Sequence, residues 1–324
     1  MPHETMTKIQ EGTQVHRLGG FHPVYFGDVF KDRYKVLIKI GYGVYSAVWL
    51  VRDLEPARSG LENQFRALKL GYDYVCYLLD GFEHRGPNGT HVSLVYELMG
   101  ETLRSFVGAW FAESRLATSV MRRFTIQLLL VIDLAHEHDV IHTKTKPDNI
   151  FVKFRDHSLI KPGYLADVAI PQQDQSEGQY SVVPSTPLRR YFFNEADSRC
   201  VDEFDIALGD WGPAPWDAST DFWNLGAVVL EVMFSGLIPP DGHYELKEHL
   251  AENVKLLEPF PNQTLARDAP PINRPGLASD AFMPGLDQEA RDTFASFLHA
   301  MMKTNPAERV SAEDLLRHPW LDAL

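Results

Sequence analysis

Ile141-His142-Thr143-Lys144-Thr145-Lys146-Pro147-Asp148-Asn149-Ile150-Phe151 is the stretch around which the chain is organised. The segment before it, Ser119 to His136, carries apolar residues at Met121, Phe124, Leu128, Ile132 and Ala135. That three-and-four spacing predicts a helix with one buried face. The run behind it starts Ile150-Phe151 and reads as a short apolar strand.

The chain has 324 residues, 44% hydrophobic and 23% charged, enough for one large domain or two lobes with a substantial core. Its net charge of −13 argues against nucleic acid or an anionic membrane as the main partner. An acidic surface suits a basic peptide, although many globular proteins are simply acidic. The two cysteines, Cys76 and Cys200, have no metal-type spacing and fit a reducing compartment. The N-terminus is too polar for a signal peptide. The most apolar helix, around Ile126 to Ile132, is broken by Asp133 and is too short to span a bilayer.

Residues 1–33 are polar, with glycines at 12, 19, 20 and 27, and read as an extended arm. Tyr34 to Ile40 alternates and is β-rich, Gly41-Tyr42-Gly43 turns, and Ala47 to Val51 reads as a second strand. Absent side chains in such a turn let backbone N–H groups approach a phosphate, but ordinary hairpins use it too. A dinucleotide fold would need a helix after the glycines, and Ala47 to Val51 does not read as one. Phe65 to Leu70, Tyr74 to Leu79 and His91 to Glu97 read as further strands, the last two separated by the turn Gly86-Pro87-Asn88-Gly89. The texture changes at Pro171 to Gly178 and at Pro184 to Pro187, which read as parts of an insert. Ser219 is predicted to cap a helix with Phe222, Leu225, Val229 and Val232 on one face. Tyr244 to Leu257 and Phe294 to Met301 suggest two more, and Ser311-x-x-Asp314 caps the last. His136, His138 and His142 straddle a helix end with no further ligand to complete a metal set, so that reading is set aside.

The opening loop resembles the catalytic loop of protein kinases, His-Arg-Asp-x-Lys-x-x-Asn. Its Thr143, followed by Lys146-Pro147-Asp148-Asn149-Ile150, is most similar to the SR-protein kinases and their fungal relatives. Other phrases carry the same resemblance: His22-Pro23-Val24, Ile40-Gly41-x-Gly43-x-x-Ser46-x-Val48-Trp49-Leu50, Asp221-x-Trp223-x-x-Gly226 and His318-Pro319-Trp320. It implies an α+β, bilobal protein-kinase-like fold: arm 1–33, β-rich small lobe 34–98, and mainly helical large lobe 99–324 with an insert at 155–203. It implies ATP and Mg²⁺ as cofactors. By resemblance Ile40, Gly41, Gly43, Ser46, Val48 and Ala67 surround the nucleotide, and Lys69 holds its α- and β-phosphates. Tyr96 is then the gatekeeper, backbone groups of Glu97 and Met99 hold adenine, and Lys146 meets the γ-phosphate. Asn149 and Asp210 are the implied metal ligands. Asp210, in Gly209-Asp210-Trp211-Gly212, follows an apolar strand; Asp167, in Ala166-Asp167-Val168-Ala169, is the alternative and lacks the glycine. The resemblance further implies a basic, Arg/Ser-rich protein partner, a monomer, and a cytoplasmic or nuclear location.

Three departures bear on activity. Lys144 stands where the family places the aspartate that receives the substrate hydroxyl's proton. An ammonium has no acceptor, and losing a general base typically costs about 10²- to 10⁴-fold in rate. Only 28 positions separate Lys69 from Glu97, which leaves no room for the helix whose glutamate pairs with that lysine. Only 9 positions separate Gly212 from Asp221, too few for an activation segment. Arg309 resembles the arginine that pairs with a glutamate of that segment, so it is predicted to lack a partner and loosen the lower lobe. The chain therefore reads as a kinase-family protein with little or no transfer activity. The alternatives are an active kinase, a pseudokinase scaffold that still holds ATP, or missing blocks that are splicing or gene-prediction artefacts.

Overall fold

The computed structural model describes residues 16–17, 21–42, 47–55, 65–67, 76, 78–111, 116–154, 157–170, 182–188, 204–211, 217–234, 276–280, 283 and 285–322. Its strands are β1 Val29–Phe30, β2 Tyr34–Tyr42, β3 Ala47–Asp53, β4 Phe65–Ala67, β5 Leu78–Gly86, β6 Gly89–Glu97, β7 Met99–Thr102, β8 Ile150–Lys153 and β9 Ile206–Leu208. Its helices are α1 Leu103–Trp110, α2 Thr118–Glu137, α3 Leu165–Asp167, α4 Ser219–Phe234, α5 Gln288–Met301 and α6 Ala312–Leu316. The chain divides into two compact units, residues 1–101 with 151–200, and residues 102–150 with 201–324.

The first unit is built on a six-stranded sheet of order β1-β2-β3-β4-β6-β5, antiparallel throughout. The β2–β3 register, Tyr34 against Asp53 and Gly41 against Val48, forms the predicted hairpin; Gly41 and Tyr42, expected in the turn, are paired within it, and residues 43–46 lie outside the described residues. On β5 every second side chain is half-buried and the ones between are exposed, the mark of a strand with one covered face. Gly86 pairs with Gly89, leaving Pro87-Asn88 as a two-residue turn. Gly89 has φ 131°, which a side chain would strain. Alternate residues of β3 feed two separate cores. Trp49 and Val51 join Val24, Tyr34, Val36, Val95 and Val183. Leu50 joins Ile38, Leu98, Ile160, Tyr164 and Leu188.

Those cores change two boundaries. Residues before Tyr34 are not all an arm: Val24 is buried, and Phe26 and Phe30 pack beside it. β1 pairs with β2, and Gly27 N donates to Val36 O at 3.0 Å while Val36 N donates to Asp28 O at 2.8 Å. Three apolar side chains outweigh the glycine-rich composition. Of the stretch expected as an insert in the large lobe, the described residues 157–170 and 182–188 instead belong with the sheet, and the unit boundary falls after Glu101. Ile160 and Tyr164 are fully buried. The Tyr164 hydroxyl donates to Thr186 O, and Thr186 N donates to Lys39 O at 2.8 Å.

In the second unit α2 buries Met121, Phe124, Leu128 and Ile132, the face that the periodicity predicts. Behind it Asp139 takes φ 58°, and Val140 N returns to Ala135 O at 2.9 Å, closing the helix end. α4 starts at Ser219, but the residue that caps it is Asp217, whose carboxylate accepts from Ser219 N at 2.8 Å. A two-oxygen carboxylate just upstream displaces the hydroxyl from that role. Gly226 lets α4 approach Met302, which would lie 2.4 Å from any Cβ there. α5 buries Phe294, Leu298 and Met301, and Ser311 caps α6 by accepting from Asp314 N. The helix expected at Tyr244 to Leu257 lies outside the described residues.

Ile160→Ala is expected to destabilise the protein by about 2–5 kcal/mol through the cavity it leaves, measured by urea unfolding. Ile170→Ala, at a side chain 53% exposed, is expected to stay within roughly 0.5 kcal/mol. Equal effects would show that the insert does not contribute to the core.

Candidate active site

The site is assembled from α4 outward. Asp221, in its first turn, is completely buried. Its carboxylate accepts from His142 N at 2.8 Å, from Thr143 N at 2.5 Å and from His136 Nε2 at 3.0 Å. A buried carboxylate is costly unless its oxygens are hydrogen-bonded, and here they accept from three donors. One turn along, Asn224 Nδ2 donates to Thr143 O at 2.9 Å. Thr143 has φ 63°, a left-handed conformation that a β-branched residue seldom adopts and that costs about 1–3 kcal/mol. α4 therefore grips both the N–H and the C=O of the one strained peptide segment in the loop.

His142 carries the loop's next connection. Burial pushes its imidazole below the ordinary histidine range, so the neutral ring is favoured. Its Nδ1 accepts from Lys144 N at 3.2 Å, which assigns the proton to Nε2. Nε2 then donates to Gly209 O at 2.7 Å. The ring stands edge-on to Trp211 at 4.6 Å, whose indole donates to Leu208 O. Gly209 N in turn donates to Asn149 O at 2.8 Å.

These bonds bring Asn149 and Asp210 together. Asn149 Nδ2 donates to Lys144 O at 3.0 Å and to Asp210 Oδ2 at 3.3 Å. Asp210 follows the fully buried β9 and has φ 64°, a second strained residue at the same place. Asp167 instead ends the three-residue α3 and is exposed. Of the two candidates, Asp210 meets Asn149. With its amide nitrogen committed, the Asn149 oxygen is the end that a cation would meet. One carboxylate and one amide oxygen are hard donors of the kind Mg²⁺ takes, so these residues fit that ion.

Lys144 and Lys146 are both exposed. The Lys144 backbone serves the loop at both its N–H and C=O, so the lysine leaves the local framework intact. Arg104 Nε donates to Asp148 Oδ1 at 2.9 Å and Nη1 to Glu231 Oε1 at 2.5 Å, tying α1 to the loop and to α4. All three side chains are partly exposed, so the pairs add little stability.

In the first unit Ile40 and Gly41 lie in the last residues of β2, before Tyr42, and Val48 lies opposite Gly41. Ala67 pairs with Tyr96, Glu97 ends β6, and Met99 opens β7 and is buried. Burial pushes the Tyr96 hydroxyl well above its ordinary range, with Cys76 adding to it. Gly43, Ser46 and Lys69 lie outside the described residues, as do residues 68–75 and 212–216, on which the missing-helix and missing-segment readings rest.

Arg309 is not left without partners. Its Nη1 donates to Ser219 O at 2.9 Å, its Nε to Lys303 O at 2.8 Å, and its guanidinium lies over the Trp223 ring at 5.0 Å. Carbonyl oxygens take its N–H donors and an aromatic face lies under its charge. The sequence reading missed the grip of Asp221 and Asn224. The Asp-x-Trp phrase marks their helix, but no linear signal joins Asp221 to a loop 79 positions earlier.

A loop braced in this way, holding an Asn–Asp pair beside two lysines, has the form of a phosphoryl-transfer site. The family model described as "Protein kinase domain" matches residues 63–321, and the chain belongs to that family. A serine/threonine protein kinase of Aspergillus fumigatus is 28% identical over 362 residues, covering 94% of this chain and 88% of the relative. The serine/threonine-protein kinase SRPK of Physarum polycephalum is 24% identical over 398 residues, with coverage of 96% and 91%. Protein kinase dsk1 of Schizosaccharomyces pombe is 23% identical over 474 residues, with coverage of 98% and 86%. Each aligned length exceeds the 324 residues of this chain, so the relatives carry blocks that it lacks. A solved kinase domain shares the fold, with a TM-score of 0.58 and 15% identity over 92% of this chain and 98% of its own.

Asp221→Ala removes the acceptor for two backbone N–H groups and His136. It is expected to cost about 3 kcal/mol or more, read as a fall in urea-unfolding free energy. A loss below about 1 kcal/mol would show that the loop holds itself without α4.

Proposed function

We propose that this serine/threonine protein kinase family member binds ATP with Mg²⁺ and engages basic, Arg/Ser-rich protein segments, transferring phosphate slowly. The contact of Asn149 with Asp210, in a loop fixed by buried hydrogen bonds, is the observation that carries the nucleotide reading. Asn149 and Asp210 would hold Mg²⁺, which when bound neutralises phosphate charge. Lys146 presents an exposed cation to the terminal phosphate, as the family resemblance assigns. The name of the Physarum relative and the net charge of −13 both support a basic partner. A cytoplasmic or nuclear location belongs to the same proposal and rests on the family resemblance alone.

Lys144 sets the rate. Its ammonium donates and cannot accept a proton, so it leaves a substrate hydroxyl unactivated. Its charge favours bound phosphate in the ground state, which does not accelerate transfer. The same residue favours a second reading, a non-catalytic scaffold that retains the nucleotide and the basic partner.

Titration with ATP and Mg²⁺ is expected to raise the melting temperature, with stabilisation of about 2.7 kcal/mol at a hundredfold excess over Kd. No shift with a cooperatively folded sample would refute the nucleotide site. Lys144→Asp is expected to raise transfer to an Arg/Ser-rich peptide by about 10²-fold or more. Unchanged, undetectable transfer in that variant, with ATP still bound, would favour the scaffold.

A further inference from the structure

The N-terminal segment meets the β5–β6 hairpin through histidines. The His22 ring lies 4.6 Å from that of His84, 5.1 Å from that of His91 and 5.9 Å from Phe30 on β1. His84 and His91 are direct cross-strand partners, and His84 stands edge-on to Phe30 at 4.8 Å. Gly86 makes room for the ring, since a Cβ there would lie 2.2 Å from His22. One further bond ties the segment to the same turn, Asn88 Nδ2 donating to Phe21 O at 2.7 Å. His22 Nδ1 and His91 Nε2 are buried and have no hydrogen-bond partner among the described residues. Among the described residues no group of three or more His, Cys, Asp or Glu is placed to hold a metal ion.

We propose that His22, His84 and His91 form an acid-released latch that holds the N-terminal segment on the hairpin when uncharged and lets it go when protonated. Three imidazoles within ring contact cannot all carry charge without mutual repulsion, and half-burial reduces the water that would screen it. The groups that act on His22 are His84 and His91 from the hairpin and His16 from its own segment; no carboxylate is among them. Burial first, then these neighbours, depress His22 to about 4. A depressed histidine binds its proton more readily when detached. Attachment is therefore complete above the ordinary histidine value of roughly 6.5 and weakens as pH falls from there toward about 4.

Release has a defined structural cost. The segment leads directly into β1, which covers the first part of the β2 edge. Tyr25 N, Gly27 N and Asp28 N donate to Asp28 Oδ2, Val36 O and Tyr25 O respectively. Their exchange with solvent reports the latch.

The test is hydrogen exchange on the full chain at pH 7.5 and 5.0, corrected for intrinsic rates, with α2 amides as the internal reference. Protection at Tyr25, Gly27 and Asp28 is expected to fall on the order of tenfold more than in α2 at pH 5.0. His22→Phe keeps an aromatic ring without a proton site and is expected to abolish that fall. Gly86→Ala unseats the ring and is expected to lower protection at pH 7.5, with little further loss at pH 5.0. The latch is refuted by constant wild-type protection, by an equal acid loss in His22→Phe, or by full protection in Gly86→Ala.

Discussion

A single buried carboxylate sets the geometry of the loop at 141–151. Asp221 is worth burying only because the loop brings it two peptide N–H groups and an imidazole. The dependence runs both ways. Thr143 keeps a backbone conformation it would otherwise leave because Asp221 and Asn224 grip it on either side. From that fixed point His142 reaches Gly209 O, and Gly209 reaches Asn149 O. The metal-type pair is thus positioned by backbone and buried side-chain bonds, to which Lys144 contributes only its peptide N–H and C=O. The Lys144 side chain is exposed and enters none of these bonds, so the scaffold stands whatever chemistry that side chain brings.

The compensation around Arg309 follows the same logic. A guanidinium has five N–H donors and needs acceptors more than it needs one particular partner. Two carbonyls and an indole face serve it, and the Asp217 carboxylate acts on its charge. Burial lowers its proton affinity, yet an arginine stays charged at any physiological pH. The expectation that Arg309 lacks a partner overlooked how readily backbone oxygens accept from a guanidinium.

Much of the fold was legible in the residues because its signals are local. The strand pattern of Tyr34 to Val51, the apolar face of α2 and the cap at Ser311 each depend on neighbours within a few positions. The order of the kinase-like phrases then located Asn149 and favoured Asp210 over Asp167. What could not be read is long-range. Val24 and Phe30 are too few to announce themselves in a glycine-rich segment, but they fill a core that β3 leaves open. Ile160, Tyr164 and Leu188 look like an insert until Leu50 and Ile38 are seen to need covering. Asp217 rather than Ser219 caps α4 because the deciding bond depends on backbone geometry, not on residue preference.

The contact between Thr186 and Lys39 has a consequence for how the protein is made. The sheet of the first unit is encoded before residue 101, yet one of its two cores waits for side chains at 160, 164 and 188. A chain emerging from the ribosome therefore carries a sheet with an uncovered apolar face while the intervening helices of the second unit are still being synthesised. Domains that close on contacts this distant in sequence pass through exposed intermediates and fold slowly. The need for protection during synthesis is thus written into the order of the segments, independently of anything the finished site does.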